Sequence, residues 1–207
     1  LFTVFPFGIV NSGTKRPIYC LVRFYLEKSH HAILMEPGVI FPSVLYRELL
    51  DISDEYNIKL QKEVCRLVSL TSKNTTFWEE HLMIGNPVFA ELKEKIEKSA
   101  EKYTEYIGVS RKFRICRMWG TVNYKGDHHN THTHGVSPIS GVYYVNIPPH
   151  PDGYFLRFVY DKWTLKGNEW NEPICTKKLL LFEGWMLHGF DPNPSFEPKI
   201  AIAFNLE

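Results

Sequence analysis

Four of the chain's nine histidines, His128, His129, His132 and His134, fall within seven residues. In the run Asn130-Thr131-His132-Thr133-His134, spacing decides what they can do together. If the segment is extended, side chains two apart point to the same side, so His132 and His134 reach one metal ion from a single strand. A third ligand has to come from elsewhere in the chain. His188 is the candidate, because Leu179-Leu180-Leu181-Phe182-Glu183-Gly184-Trp185-Met186-Leu187-His188 reads as a strand, a glycine turn and a returning strand. Three imidazoles leave coordination positions open for substrate, cosubstrate or dioxygen, which a catalytic metal needs and a structural one does not. His128 and His129 follow Lys125-Gly126-Asp127, a turn composition, and are expected to lie exposed or beside the site. His30, His31, His81 and His150 stand in no such pattern and read as ordinary polar residues.

A metal held by residues so far apart needs a strand-rich scaffold, and the second half of the chain supplies one. Segments 113–124, 139–147, 154–160, 178–182, 185–190 and 200–206 are short, aromatic and β-branched, and Gly/Pro/Asn/Asp turns separate them. The stretch 161–173, with Trp163 and Trp170, reads as a loop. Ahead of the strands, Leu49, Ile52, Tyr56, Leu60, Val64 and Leu67 recur every three or four residues, so 46–69 is expected to hold one or two amphipathic helices. Asn86 as N-cap with Pro87 at the first helical position opens another, whose stripe is Phe89, Leu92, Ile96, Ala100, Tyr103 and Ile107. Helices followed by strands make an α+β domain with the helices packed on one side of a barrel or sandwich.

Composition bounds the rest. With 44% hydrophobic residues, the 207-residue chain can build one full core, which excludes an intrinsically disordered or collagen-like protein. Lys and Arg number 24 against 23 Asp and Glu, a formal net charge of +1, so no general field draws the chain to nucleic acid or to an anionic membrane. Cys20, Cys65, Cys116 and Cys175 lie far apart in the chain and read as reduced, mostly packed thiols of a cytoplasmic protein. The apolar runs 1–10 and 38–44 are too short to span a bilayer. The first residue is Leu1, and the first methionine, Met35, precedes Glu36-Pro37-Gly38-Val39-Ile40-Phe41-Pro42, which reads like a domain opening. Residues 1–34 are therefore expected to be an upstream extension, and 35–207 the functional domain.

From about residue 38 onward the chain resembles the iron(II)/2-oxoglutarate-dependent oxygenases of bacteria and phages, with prolyl-hydroxylase-like features. The resemblance rests on Trp119, Gly126-Asp127, His132-x-His134, Ser140-Gly141-Val142-Tyr143-Tyr144-Val145, Gly184-Trp185-x-x-His188 and the closing Lys199-Ile200-Ala201-Ile202-Ala203-Phe204-Asn205. It implies a double-stranded β-helix, or jelly-roll, core with N-terminal helices on one side. It also implies Fe(II), 2-oxoglutarate as cosubstrate, dioxygen, and hydroxylation of a small molecule or a protein side chain. His132 and His188 match the first and last metal ligands of that superfamily. His134 stands where most members carry a carboxylate, although the group most like this chain shows His-x-His too; Asp127 is the nearest upstream carboxylate that can substitute. Lys199 matches the place of the cation that holds the cosubstrate's far carboxylate, and Tyr144 resembles the tyrosine that assists it. Trp119, Asn123 and Asn205 fit the pattern as well.

Other chemistries stay open on the residues alone. A cupin-like three-His metalloprotein fits the ligand set, though cupins place a Glu shortly after His-x-His and Gly135-Val136-Ser137-Pro138 has none. A zinc hydrolase needs a general base, for which Glu183 is the nearby candidate. A non-enzymatic jelly-roll binding module would use loop aromatics such as Trp163 and Trp170. The substrate and the oligomeric state are not readable from the residues.

Overall fold

Among the residues that the computed structural model describes, 43–164 and 167–207 with backbone alone over 161–164, antiparallel strands make two sheets. The first contains β1 (Tyr46–Leu49), β7 (Lys178–Glu183), β4 (Ile139–Asn146), β9 (Lys199–Leu206) and β2 (Ile115–Asn123), in that order. The second runs β3 (His129–His132), β8 (Leu187–Phe190), β5 (Phe155–Thr164) and β6 (Gly167–Pro173). Two such sheets over a shared interior form the double-stranded β-helix, with the helices on the outer side of the five-stranded sheet. The expected extension 1–34, with Cys20, His30 and His31, lies outside the described residues, as does the side chain of Trp163.

Helix α1 (Asp54–Ser69) starts at Ser53, whose Oγ accepts the Tyr56 N–H at 3.1 Å. The helix expected from residue 46 therefore begins later. Residues 46–49 instead pair with β7 as an edge strand, and the spacing of Leu49 and Ile52 only mimics a helical stripe. A short helix, α2 (His81–Ile84), follows, and α3 (Ala90–Tyr106) is preceded by a 3₁₀ turn, Pro87–Phe89. Asn86 does cap that turn, its Oδ1 accepting the Val88 N–H at 3.0 Å. The loop expected at 161–173 is largely strand. β6 is polar and lacks alternation because it is a sheet edge, pairing only with β5 and ending at Pro173. Among the described residues no helix is long and apolar enough to cross a membrane. Cys65, Cys116 and Cys175 are free, and Cys175 is exposed.

Alternation along the strands of the larger sheet creates two faces. Met118, Val122, Tyr143, Val145, Leu179, Leu181, Ile200, Ile202, Phe204 and Leu206 join the core built with Leu60, Val64, Leu67, Leu92, Ile96 and Tyr103 of the helices. The intervening residues face the second sheet, where Tyr144, Leu180, Phe182 and Ala201 pack with Tyr154, Leu156 and Phe158. Contact with α1 is close: a Cβ on Gly120 of β2 would sit 2.8 Å from a Val64 methyl. A buried polar link also spans it, Asn57 donating to the Val145 carbonyl and accepting the Tyr143 hydroxyl, both at 2.8 Å. The helices thus brace one face and leave the other to line the interior.

Candidate metal centre

β3 carries His132 to the register position opposite His188 on β8. The two backbones approach closely because residue 189 is glycine; a Cβ there would lie 2.7 Å from the His129 carbonyl oxygen. His134 lies just past the strand, fixed by its N–H donating to the Gly184 carbonyl at 2.7 Å. One ring nitrogen from each of His132, His134 and His188 lies within 4.8 Å of the others, the metal-capable group among the described residues.

Hydrogen bonds set which nitrogen each ring offers. His132 Nδ1 lies 2.8 Å from the Asn130 carbonyl oxygen, His188 Nδ1 2.8 Å from that of Met186, and His134 Nδ1 2.5 Å from Asn205 Oδ1. Each partner is an acceptor, so each Nδ1 carries the proton and each Nε2 keeps its lone pair. Asn205 is itself held, its Oδ1 also accepting the Ser140 hydroxyl at 3.0 Å. Tethering of this kind orients imidazole ligands and fixes their tautomer. Burial, reinforced by the neighbouring imidazoles and partly offset by the Met186 carbonyl, pushes the His188 pKa down to about 3. Burial lowers His134 as well, with His132 and Arg117 adding to it against the Asn205 hydrogen bond. Both rings are therefore neutral near pH 7, as a metal ligand has to be.

A small inner cavity of about 60 Å³ lies behind the imidazoles, and Lys199, Tyr144 and Asn123 line it. Lys199 is 3% exposed and opposite Asn123 in the strand register. Its Nζ sits 2.9 Å from the centre of the Phe190 ring and has no ion-pair partner among the described residues, Asp191 being paired with Arg157 instead. Burial pushes its pKa down to about 7, and the more distant charge of Asp191 opposes that only in part. Two buried oxygens beside this cavity, Tyr144 Oη and Asn123 Oδ1, have no hydrogen-bond partner among the described residues. A buried cation without a counter-ion and an unmatched hydroxyl are costly unless a polar ligand completes them. A carboxylate does so.

Several candidates fall outside the group. Asp127 Oδ2 already accepts from Asn74 Nδ2 and from the Tyr124 N–H, both at 2.9 Å, in the turn where β2 ends, and Asp127 does not join the histidines. Glu183 follows the parity of Leu179 and Leu181 onto the helix side, where its charge helps raise Tyr103 of α3, so the hydrolase reading loses its base. No carboxylate stands in the metal-capable group, as the cupin reading would require. His129 lies exposed and beside the site as expected, at the start of β3, with its ring 4.7 Å from that of His132. Strand parity alone would put His129, three residues before His132, on the opposite side; the register irregularity between the two brings their rings together. Arg117, two residues before Trp119 on β2 and so on the same side of the strand, carries no mark in the sequence pattern.

Residues 117–205, from β2 to β9, match the model of a family described as "Putative 2OG-Fe(II) oxygenase". Over that segment the chain is similar to the 2OG-Fe(II) oxygenases. The match spans the three histidines, Tyr144 and Lys199, and the cofactors of this enzyme class are Fe(II) and 2-oxoglutarate with dioxygen. No curated protein matches the chain. Among solved structures, HygX from Streptomyces hygroscopicus, with nickel and 2-oxoglutarate bound, superposes at a TM-score of 0.60 with 11% identity, over 79% of this chain and 82% of its own. A Pseudomonas putida prolyl-4-hydroxylase gives 0.57 and 12% over 79% and 86%. A Trichoplax adhaerens prolyl hydroxylase, in complex with a hypoxia inducible factor peptide fragment, gives 0.55 and 12% over 78% and 82%. At such identities the likeness is one of fold, and it agrees with the two-sheet architecture of this chain.

Proposed function

We propose that this oxygenase holds Fe(II) through Nε2 of His132, His134 and His188, holds 2-oxoglutarate by its far carboxylate on Lys199 and Tyr144, and hydroxylates an unidentified small molecule or protein side chain. One observation carries the reading. Three imidazoles pinned in the same tautomer share a cavity with a buried, uncompensated lysine and an unmatched tyrosine hydroxyl. Bound iron supplies the activation of dioxygen that couples cosubstrate decarboxylation to substrate oxidation.

The chain's own residues do the positioning. Asn205, Asn130 and Met186 hold the rings at Nδ1, so the donor set needs little reorganisation on loading. Lys199 and Tyr144 give one end of a dicarboxylate a cation and a donor, which directs its other end toward the histidines. Phe158, Phe182 and Phe190 surround His188 and Lys199 with apolar surface that excludes water. Because three neutral imidazoles replace the usual pair plus carboxylate, the bound metal keeps its full double charge, which favours a dianionic cosubstrate over water.

Anaerobic calorimetry tests the reading first. Fe(II) is expected to bind once per chain, and 2-oxoglutarate to bind the iron-loaded protein. Admission of dioxygen should then yield succinate, while His188→Ala, shown folded by circular dichroism, loses metal binding and turnover together. Absence of 2-oxoglutarate binding by the iron-loaded wild type would overturn it.

A further inference from the structure

Outside the imidazoles lies a much larger cleft of about 710 Å³, within the range of small-molecule sites. It shares Trp119 and the three β3-side histidines with the inner cavity, so it opens on the outer side of the same centre. Its floor is a run of rings. Trp119 lies 5.5 Å from His134, Phe77 meets Trp119 edge-on at 5.2 Å, and Trp78 meets Phe77 edge-on at 4.8 Å. This wall is preformed. The strip before Phe77 adds to the edge of β2, with Thr76 N–H donating to the Gly120 carbonyl and Val122 N–H to that of Asn74, both at 3.0 Å.

Above these rings sits Arg117, its guanidinium 5.1 Å from the centre of Phe77 and 6.0 Å from that of Trp119. Glu80 lies behind it and does not line the cleft; its carboxylate takes only Nε, at 2.6 Å. That bond fixes the plane of the guanidinium and leaves both η nitrogens, four N–H donors in a fork, without a protein acceptor among the described residues. Among the described residues the one carboxylate lining the cleft, Asp127, is already held by Asn74 and the Tyr124 N–H.

From this arrangement we infer that the cleft takes a small carboxylic acid with a flat apolar body, its carboxylate on the η nitrogens of Arg117 and its body along Trp119 and Phe77. The inference rests on the proposed oxygenase reading for what happens at the metal, and it names the substrate class of that site. The carboxylate is anchored two ring contacts from His134, so carbon atoms between the acid group and the far end of the body lie over the imidazoles. Glu80 acts as a positioning residue for Arg117.

The test uses full-length protein, loaded anaerobically with Fe(II) and saturating 2-oxoglutarate, and matched pairs of arylalkyl acids and their primary amides: phenylacetate, 4-phenylbutyrate, cinnamate and indole-3-acetate. Ligand-observed NMR and calorimetry should show acids binding roughly tenfold or more tighter than their amides. Arg117→Gln removes that preference, Arg117→Lys keeps only part of it because the fork is lost, and Glu80→Gln weakens acid binding less than Arg117→Gln does. Equal binding of acid and amide, no binding of any acid in the panel, or an acid preference surviving Arg117→Gln would each overturn the inference. So would a loss of 2-oxoglutarate affinity in Arg117→Gln that matches the loss in a Lys199 variant, since Arg117 would then serve the cosubstrate. Repeating the titration without iron and 2-oxoglutarate separates the two readings. Arg117-dependent acid binding in a wild type that binds neither cofactor overturns the oxygenase reading alone, and cofactor binding without acid preference overturns this one alone.

Discussion

Tyr143 and Tyr144 are neighbours on β4, both buried, and pointed to opposite sides of one sheet. Tyr143 faces the helices, where its hydroxyl donates to Asn57 Oδ1 and the link continues to the Val145 carbonyl. Tyr144 faces the interior, where its hydroxyl meets no partner. The same contrast runs along β9. Ile200, Ile202, Phe204 and Leu206 fill the helix-side core, while Lys199, Ala201, Ala203 and Asn205 alternate with them toward the cavity and the histidines. One face is large, apolar and internally satisfied; the other is small or polar and incomplete. A face whose polar groups are all matched stabilises the fold, and a face that leaves a cation and a hydroxyl unmatched is built around something absent from the polypeptide.

Lys199 gives the largest expected difference between the faces. Lys199→Met should lower 2-oxoglutarate affinity by about 100-fold, measured by calorimetry, yet raise the thermal stability of the cofactor-free protein by removing an unpaired buried charge. The sign of its pH dependence follows from burial. The folded-state pKa is about 7 and the ordinary value 10.5, so between these values the unfolded chain binds more protons than the folded one. Below about pH 7 the folded state carries the full cost of the buried ammonium; stability therefore rises from pH 7 toward 10.5, and Lys199→Met flattens that part of the curve. Cosubstrate affinity should move the opposite way, falling above pH 7 as the lysine must take up a proton to bind. A wild-type stability profile no steeper than that of the methionine variant would break the contrast.

The tyrosine pair sharpens it. Tyr144→Phe should weaken 2-oxoglutarate binding by about tenfold and leave the denaturation midpoint unchanged or slightly higher, because no hydrogen bond is lost in the free protein. Smallest is Tyr143→Phe. It should cost about 1 kcal/mol in urea unfolding, since it leaves Asn57 Oδ1 buried without its donor, while cosubstrate affinity stays at the wild-type value. If both variants lowered stability equally and neither changed affinity, the two faces would not differ in role.

Much of the fold is legible in the chain because its signals are local. β2, β4, β7, β8 and β9, the Asn86-Pro87 start and the stripe from Leu92 to Tyr103 appear where alternation and three-to-four spacing place them. The misreadings have a common cause. β1, β3 and β6 are edge strands, whose short and polar sequences are held by pairing with a neighbour rather than by their own pattern. At the site, His-x-His and the late histidine are visible from spacing and resemblance, whereas His129 and Arg117 gain meaning only from the elements beside them.

By itself the sequence determines parity: Tyr144 opposes Tyr143, Lys199 travels with Ala201, Ala203 and Asn205, and His132 travels with His134, because the side-chain period of a strand is two. It does not determine which side of the sheet the helices will cover, and that choice turns one set of residues into core and the other into cavity. Only the tertiary structure brings His188 into register with His132, 56 positions away in the chain, seats Asn205 behind His134, and leaves Lys199 beside Phe190 without a carboxylate. These are non-local pairings, set by sheet order and strand crossovers rather than by residue pattern.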